Sequence, residues 1–320
     1  MNSLPAMSVI VITPDNFATI AKTIRRLNGQ NVRQQLEIVI AAPATNTLQL
    51  QEAELRDFHS FKVIEVGPMT STARARAAGV FAASAPVVAF VEDHAFPANG
   101  WAEALIAAHQ QPWAAVGPAM ANANPRTLTS WVNLVVEYAQ WLDPRPAGAI
   151  DHLPGHNASY KRSLLVEYGD SLEAMLDAES ILQWDLRAKG YELYFEPRAK
   201  TFHQNFSAGF SWLPLRFNGG RLFAASRART WSPLRRMLYC AASPLIPFVR
   251  FKRIVKELRA PGRKRDLLPR IVPLLFASLV VDAAGEMAGY ALGVGDAMRK
   301  LSDMEFHRHR YLAKADLHAT

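Results

Sequence analysis

The sequence predicts an α/β fold in which a mixed, mostly parallel sheet is flanked by helices. Short apolar, β-branched segments alternate with helical patterns through the first half of the 320-residue chain. This alternation is typical of parallel strands joined by crossover helices. Half of the residues are apolar and a fifth are charged, which excludes wholesale disorder. The single cysteine, Cys240, excludes an internal disulfide framework and a cysteine-rich zinc module.

The individual elements follow from local patterns. Strands are predicted where β-branched or unbroken apolar runs end at turn residues, at Ser8–Ile12, Glu37–Ala41, Lys62–Val66 and Pro86–Val91. Helices are predicted between them from apolar residues at helical spacing, at Phe17–Leu27, Leu48–Phe58 and Ser71–Ala83. Neither a Gly-x-Gly-x-x-Gly turn after the first strand nor a P-loop motif occurs, which argues against dinucleotide and P-loop proteins.

Polar residues follow the first and the fourth predicted strands, as Thr13-Pro14-Asp15 and Glu92-Asp93-His94. Ligands of open α/β sheets bind outside the carboxyl ends of the strands, so both groups are candidate ligand-binding residues. Two carboxylates and an imidazole in three consecutive residues can hold a divalent metal and a ribose hydroxyl. The residues alone also allow a structural interpretation, in which the two acids cap a loop that begins at Pro97.

The second half of the chain supplies further candidates. Leu153–Tyr160 is a small, polar loop that contains a glycine and a histidine, and a helix is predicted over Leu176–Lys189 with acidic residues at its start. A strand over Tyr191–Glu196 then leads to His203. Taken singly, the acids at the helix start are also explained by compensation of the helix dipole. His203, taken singly, is also explained by a structural role.

The positive charge is concentrated on the C-terminal side. Residues 216–270 hold 15 basic and 2 acidic side chains, and the apolar runs Met237–Val249 and Ile271–Val281 lie between arginines. Each run is shorter than the roughly 20 residues of a spanning helix, and Pro244, Pro247 and Pro273 are expected to break or kink the runs. Such runs fit helices in the headgroup zone of an anionic membrane, although core helices with a solvated basic face remain an alternative. No nucleic-acid-binding signature supports a nucleic-acid partner.

Taken together in their order, these segments resemble family 2 glycosyltransferases, which have the Rossmann-like GT-A fold and use nucleotide-diphosphate sugars. The resemblance covers about residues 7–205. It is carried by Val9–Asn16, Ala75–Gly79, Phe90–His94, Gly155–Tyr160 with Arg162, Ala178–Tyr191 and Phe195–His203. Glu92 and His94 stand where the family usually has the two aspartates of an Asp-x-Asp metal motif, and a histidine ligand favours manganese somewhat over magnesium.

The resemblance implies roles for individual residues. Those implied to bind the nucleotide, its ribose or its phosphates are Thr13, Pro14, Asp15, Arg76, Glu92 and Asp93. Those implied to ligate a divalent cation, Mn²⁺ or Mg²⁺, are His94 and His203. Those implied on the acceptor side are His156 and Asn157. The catalytic base is implied to be Glu179 or Asp177, because Ala178-Glu179 replaces the usual Glu-Asp pair.

The implied function is inverting transfer of a sugar from a nucleotide-diphosphate sugar to a hydroxyl of a glycan or lipid-linked acceptor. The alternative is a non-catalytic nucleotide-sugar-binding or scaffold protein on the same fold. We expect a GT-A domain over residues 1–212 and a basic, membrane-associating helical region over residues 213–320. Because Met1–Met7 lacks a positively charged segment and no signal-like apolar run follows, we expect the catalytic part on the cytoplasmic face of a membrane.

Overall fold

The computed structural model describes residues 4–69, 71–177 and 179–317. The chain divides into two compact units. The first comprises the residues up to Ala121 together with Asp143–His203, and the second comprises Asn122–Leu142 and the residues from Gln204 onward. This division differs from the boundary expected after residue 212. It falls at His203, and it places the segment Asn122–Leu142 in the C-terminal unit because a helix of that segment packs there.

The first unit is built on a nine-stranded sheet. Its strands are β1 (Met7–Ile12), β2 (Leu36–Ala42), β3 (Ser60–Glu65), β4 (Val87–Val91), β5 (Ala95–Pro97), β6 (Ala115–Asn122), β7 (Gly148–Ile150), β8 (Ser159–Lys161) and β9 (Leu193–His203). They lie in the order β3-β2-β1-β4-β8-β6-β9-β5, and β7 pairs with β9. The strands β1 to β4 pair in parallel, whereas β8 pairs antiparallel with β4 and β6, and β9 antiparallel with β5 and β7. The predicted α/β fold with a mixed sheet is confirmed.

Helices cover the sheet. Those of the first unit are α1 (Phe17–Asn28), α2 (Thr72–Ala82), α3 (Trp101–Ala108), α5 (Arg162–Val166), α6 (Leu172–Leu176) and α7 (Glu179–Ala188). Helix α1 begins after Asn16, whose side chain accepts a hydrogen bond from the N–H of Ala18 at 3.0 Å, a normal N-cap. Its face with Ile20, Ile24 and Leu27 is buried against the sheet, as the helical spacing predicts.

The predicted helix over Leu48–Phe58 is wrong. The structure has only one 3₁₀ turn in this segment, Glu52–Glu54. The apolar residues that suggested a helix are buried all the same, because the segment packs as a loop on the core. The carbonyl of Leu48 accepts a hydrogen bond from the N–H of Phe17 at 2.7 Å, so its backbone is committed to the start of α1 rather than to a helix of its own.

Strand β9 is longer than the sequence pattern predicts. The expected strand ended at Glu196, whereas β9 continues through Pro197 to His203. Pro197 cannot donate to a sheet, and it falls between the stretch paired with β7 and the stretch paired with β5. The antiparallel pairing sets Ala95 opposite His203, and it brings the end of β9 beside the loop after β4.

The second unit is helical in the part of the chain that the structure describes. Its helices are α4 (Leu128–Tyr138), α8 (Trp212–Arg227), α9 (Pro233–Ala242), α10 (Ile246–Leu258), α11 (Leu268–Leu292), α12 (Ala297–Phe306) and α13 (Lys314–Leu317). Helices α8 and α11 approach closely through Gly220, Gly285 and Gly289, where an added Cβ would overlap a backbone atom of the other helix. Helix α11 also packs on α4, α9 and α10, so it is the central helix of this unit.

Helix α11 does not break at Pro273, so the break that was one of the two expected effects is wrong. The apolar run Ile271–Val281 lies within the 25-residue helix α11, which passes through Pro273. Pro273 is exposed and lies in the second turn, where its missing N–H costs one hydrogen bond at the surface. Among the described residues, one helical segment, Arg265–Leu292, is long and apolar enough to cross a membrane by length and composition.

Candidate functional site

The tripeptide Glu92-Asp93-His94 forms the loop between β4 and β5, at the carboxyl edge of the parallel strands. The hydroxyl of the buried Thr23, in α1, donates a hydrogen bond to the carbonyl of Asp93 at 2.9 Å. The backbone of the tripeptide is thereby tied to a helix of the core, which limits its freedom to move.

Three side chains form a candidate metal centre, namely Glu92, His94 and His203. Their ligand atoms all lie within 4.8 Å of one another. Glu92 Oε2 is 3.6 Å from His94 Nε2 and 3.5 Å from His203 Nε2, and the two imidazole rings meet edge to face with centroids 4.8 Å apart. Both histidines are buried. The pairing of β5 with β9 is what brings a histidine from residue 203 beside one from residue 94.

The donor set fits a divalent cation. One carboxylate and two imidazoles suit transition metals such as manganese better than they suit magnesium, which prefers oxygen ligands. Asp93 Oδ1 lies 2.6 Å from His94 Nδ1, so the carboxylate accepts the Nδ1–H and leaves Nε2 to face Glu92. A carboxylate behind a histidine commonly fixes the tautomer of a metal ligand, and Asp93 is placed to do so here.

Glu92 is also held by side chains from two other segments. Asn157 Nδ2 donates to Glu92 Oε2 at 2.8 Å, and His156 Nδ1 lies 3.2 Å from Glu92 Oε1. Arg76 Nη2, from α2, lies 3.7 Å from the same oxygen and 2.9 Å from His156 Nδ1. The residues implied on the acceptor side therefore contact the carboxylate of the candidate metal centre.

The surroundings of Glu92 keep it ionised. Burial alone would raise the pKa of Glu92. The electrostatic interaction with His94 and the hydrogen bonds from His156 and His203 outweigh burial, and they hold the pKa of Glu92 well below its usual range. At neutral pH the side chain is therefore a carboxylate, the form that ligates a cation.

The residues after β1 make mainly local contacts. Thr13 Oγ1 donates to the carbonyl of Asn16 at 2.7 Å, and Asp15 Oδ1 accepts from Thr19 Oγ1 and from the N–H of Asn16, both at 2.6 Å. With Pro14 between them, these residues close the turn into α1. Because β1 lies beside β4 in the sheet, the turn stands at the same carboxyl edge as the tripeptide.

The two candidate bases lie at the junction of α6 and α7. The N–H of Asp177 donates to the carbonyl of Glu173 at 3.1 Å and closes α6. Glu179 is the first residue of α7, and its side chain lies outside the described residues.

A residue that sequence reasoning missed supports the loop of His156 and Asn157. Gln183, in α7, is buried, and its side-chain amide bonds both backbone groups of Leu153, with Oε1 accepting from the N–H at 2.8 Å and Nε2 donating to the carbonyl at 3.2 Å. Nε2 also lies 3.2 Å from the hydroxyl of Tyr160. The only signal in the sequence was a polar residue on the apolar side of a helical pattern.

The comparison with known families decides the family of this chain. The model of the family described as glycosyl transferase family 2 matches residues 8–169, about half of the chain. The chain belongs to glycosyltransferase family 2. The comparison with curated proteins gave no match.

Solved structures similar to this family 2 glycosyltransferase include three enzymes. The mannosyltransferase PcManGT from Pyrobaculum calidifontis, in complex with GDP-Man and Mn²⁺, has a TM-score of 0.56 and 17% identity over 92% of this chain and 88% of its own. TarS 1–349 from S. aureus has a TM-score of 0.46 and 14% identity, covering 95% and 91%. GalNAc-T7 with UDP, GalNAc and Mn²⁺ has a TM-score of 0.49 and 12% identity, covering 74% and 51%. At such identities, the likeness to the first concerns the fold, and it agrees with the predicted GT-A architecture.

Proposed function

We propose that this family 2 glycosyltransferase moves a sugar from a nucleotide-diphosphate sugar to a hydroxyl of a glycan or lipid-linked acceptor at a membrane surface, with inversion at the anomeric carbon. The observation that carries the proposal is the cluster of Glu92, His94 and His203 at the carboxyl edge of the sheet. Family membership supports the nucleotide-sugar donor, and the donor set supports a divalent cation, Mn²⁺ before Mg²⁺.

The residues proposed to hold the cation are Glu92, His94 and His203. When bound, a divalent cation neutralises the charge that grows on a departing diphosphate. Asp93 keeps the imidazole of His94 in the orientation that faces Glu92, since its carboxylate lies on Nδ1. Asn157 fixes the other ligand, because its amide donates to Glu92 Oε2.

Arg76 is proposed to face the donor phosphates. Its guanidinium is buried, lies 3.7 Å from Glu92 and stands over the ring of Phe90 at 5.8 Å from the ring centroid. The turn from Thr13 to Asp15, at the same edge, is proposed to bind the nucleotide. A fixed cation beside the leaving diphosphate stabilises charge without having to reorganise during the reaction.

Glu179 is proposed as the general base, with Asp177 as the alternative. The base takes the proton of the acceptor hydroxyl while the acceptor oxygen bonds to the anomeric carbon and the bond to the diphosphate breaks. A single in-line displacement of this kind inverts the anomeric centre. General-base catalysis typically contributes about 10²–10⁴-fold, so we expect Glu179→Gln to lose about that much of kcat and Asp177→Asn to lose little.

Titration calorimetry with Mn²⁺ alone tests the metal centre. We expect His94→Ala and His203→Ala each to weaken Mn²⁺ binding by about 10-fold or more, whereas His59→Ala, a loop histidine on the same unit, leaves it unchanged. If the wild type and the three variants bound Mn²⁺ with the same affinity, the cluster of Glu92, His94 and His203 would not be the metal site.

A panel of nucleotide-diphosphate sugars that includes GDP-mannose tests the transfer. Release of nucleotide with Mn²⁺ that is abolished by chelation is the expected result, and NMR of the product gives the anomeric configuration. Tight binding of a nucleotide sugar with no turnover on any acceptor would favour the non-catalytic alternative. Retention of configuration, or normal turnover in Glu179→Gln, would contradict the proposed base and its single displacement.

A further inference from the structure

The helices α9 and α10 carry an apolar stripe that faces outward. Its residues recur three or four positions apart, the spacing of one side of a helix. They are Leu234, Met237 and Leu238 of α9, Phe248 and Val249 of α10, and Leu245 of the 3₁₀ turn Ser243–Leu245 between the two helices, and each is between 48% and 68% exposed. Helix α9 has no buried residue among those described. In a helix that packs only against its own protein, such a stripe would face the core.

The opposite side of α10 is already occupied. Pro247, Ile254 and Leu258 are buried, and Phe251 meets Phe276 of α11 edge to face at 5.8 Å. Helix α10 is therefore apolar on two sides. Inside the unit the outward side makes one edge-to-face ring contact, between Phe248 and Phe276 at 5.5 Å, which leaves Phe248 62% exposed. The outward side needs a different partner, because contiguous exposed apolar surface marks interaction sites.

Positive charge borders the stripe. Lys252, Arg253 and Lys256 continue it by one and two turns along α10, and all three are exposed. Arg235 and Arg236 lie at its other end, next to Leu234. The surrounding segment, residues 216–270, holds 15 basic and 2 acidic side chains. An apolar stripe ending in cations is complementary to an anionic lipid leaflet, whereas a nucleic acid would leave the apolar side chains in water.

Helix α11 has the composition of a spanning helix, but its acidic side chains and its glycines are committed to contacts within the unit. Asp282 and Glu286 are buried on it, and Arg250 of α10 forms an ion pair with Asp282 and lies 4.0 Å from Glu286. Gly285 and Gly289 of α11 pack closely against the backbone of α8. Moving α11 into hydrocarbon would break these contacts and carry two acids into the bilayer, which is costly.

We infer that the outward face of α9 and α10 docks in the plane of an anionic lipid leaflet, while α11 stays packed within the protein. The stripe enters the boundary between headgroups and acyl chains, and the flanking lysines and arginines remain at the phosphates. The inference rests on the membrane location in the proposed function and specifies the face that docks, but it does not depend on the transfer reaction itself.

Co-sedimentation of the full chain with lipid vesicles tests this docking face. We expect binding to phosphatidylcholine vesicles with about 30% phosphatidylglycerol at about 0.1 M salt, and binding at least about tenfold weaker without the anionic lipid. The double variant Leu245→Glu/Phe248→Glu should lose about 100-fold or more in affinity, because two apolar side chains no longer enter the leaflet. The variant Lys252→Gln/Arg253→Gln/Lys256→Gln should lose on the order of 100-fold on anionic vesicles only, about fivefold for each cation.

The matched control is Phe81→Glu/Phe210→Glu, which adds the same two charges at apolar side chains that are 46% and 79% exposed elsewhere. We expect it to bind vesicles like the wild-type protein. Because all substituted side chains are at the surface, the thermal unfolding of the control and of the cation variant should match the wild type. Leu245→Glu/Phe248→Glu also loses the ring contact of Phe248 with Phe276, which should lower its Tm by a few degrees and leave the protein folded.

Three results would overturn the inference. The first is equal loss of vesicle binding in the control and in the stripe variant. The second is a wild-type protein that does not bind vesicles but forms a dimer in sedimentation equilibrium, when the substitutions Leu245→Glu/Phe248→Glu dissociate that dimer. This result would assign the face to a second copy of the chain. The third is protein that stays in the membrane after alkaline carbonate washing, which would mean that α11 spans it.

Discussion

Replacing Gln183 by leucine is expected to loosen the loop that carries His156 and Asn157. Gln183 is 1% exposed, and its amide makes hydrogen bonds to the N–H and the carbonyl of Leu153 and to the hydroxyl of Tyr160. Leucine has a similar size but no polar group. The variant therefore leaves buried polar groups without these partners and creates little empty space.

The magnitude follows from the groups that lose a partner. A buried donor or acceptor left without a hydrogen bond costs about 1–3 kcal/mol, and both backbone groups of the buried Leu153 are affected. We expect the free energy of unfolding to fall by about 3 kcal/mol. For a domain of about 150–250 residues, this lowers Tm by about 6–12 °C. Because Asn157 and His156 hold Glu92, Mn²⁺ should also bind about tenfold more weakly.

Thermal unfolding and Mn²⁺ titration measure the two effects separately. The control is Gln111→Leu, the same substitution at an exposed position in the turn after α3, which should change stability by less than about 0.5 kcal/mol. If Gln183→Leu kept both the Tm and the Mn²⁺ affinity of the wild type, Gln183 would not support the loop. A lowered Tm with unchanged Mn²⁺ affinity would separate the loop from the metal centre and refute the coupling.

Two further predictions concern stability. Burial would raise the pKa of Glu37, but hydrogen bonds from Ser8, Lys62 and Ser84 lower this pKa from 4.5 to about 2. The ionised Glu37 therefore stabilises the folded protein by about 3 kcal/mol. This contribution is complete above pH 4.5 and is lost as the pH falls towards 2. Urea unfolding should show that the free energy of unfolding of the wild type falls between pH 7 and pH 3, and that it falls less in Glu37→Gln. An equal dependence on pH in the two proteins would contradict the role of Glu37. Gly220→Ala should destabilise the second unit by about 1–3 kcal/mol because its Cβ meets the carbonyl of Asp282, whereas Gly219→Ala, with no atom within 4 Å, should raise Tm slightly. Equal Tm values for the two glycine variants would show that α8 and α11 can separate without cost.

The parallel half of the sheet could be predicted because its strands carry their own signal. β1, β2 and β4 are buried almost throughout. β4 is an unbroken apolar run, and β1 and β2 each contain a single polar residue, Ser8 and Glu37. The three-residue strands β5, β7 and β8 have no pattern of their own, since their conformation is set by the longer strands with which they pair. β6 contains a glycine and a proline, which are rare within strands, and it was missed for that reason.

The candidate site was predictable where it depends on strand ends and not where it depends on distant contacts. Glu92 and His94 follow a buried strand, so the general position of ligands in α/β sheets points to them. The contact of Asn157 with Glu92 joins residues 65 positions apart, and it depends on a loop that Gln183 holds from a third segment. No local pattern encodes such a contact. Helix α11 is a second case: Pro273 predicts a break or a kink, and the helix continues through it because α11 packs on four other helices.

The pairing of His203 with Ala95 makes the length of β9 part of the candidate metal centre. Successive side chains of a strand point to opposite faces, so deleting a single residue within 198–202 would turn His203 away from Glu92 even if the strand stayed paired. The deletion would remove a ligand without changing the identity of any of the three cluster residues. In related or designed chains, the number of residues between Leu193 and the histidine is therefore as informative about metal binding as the histidine itself.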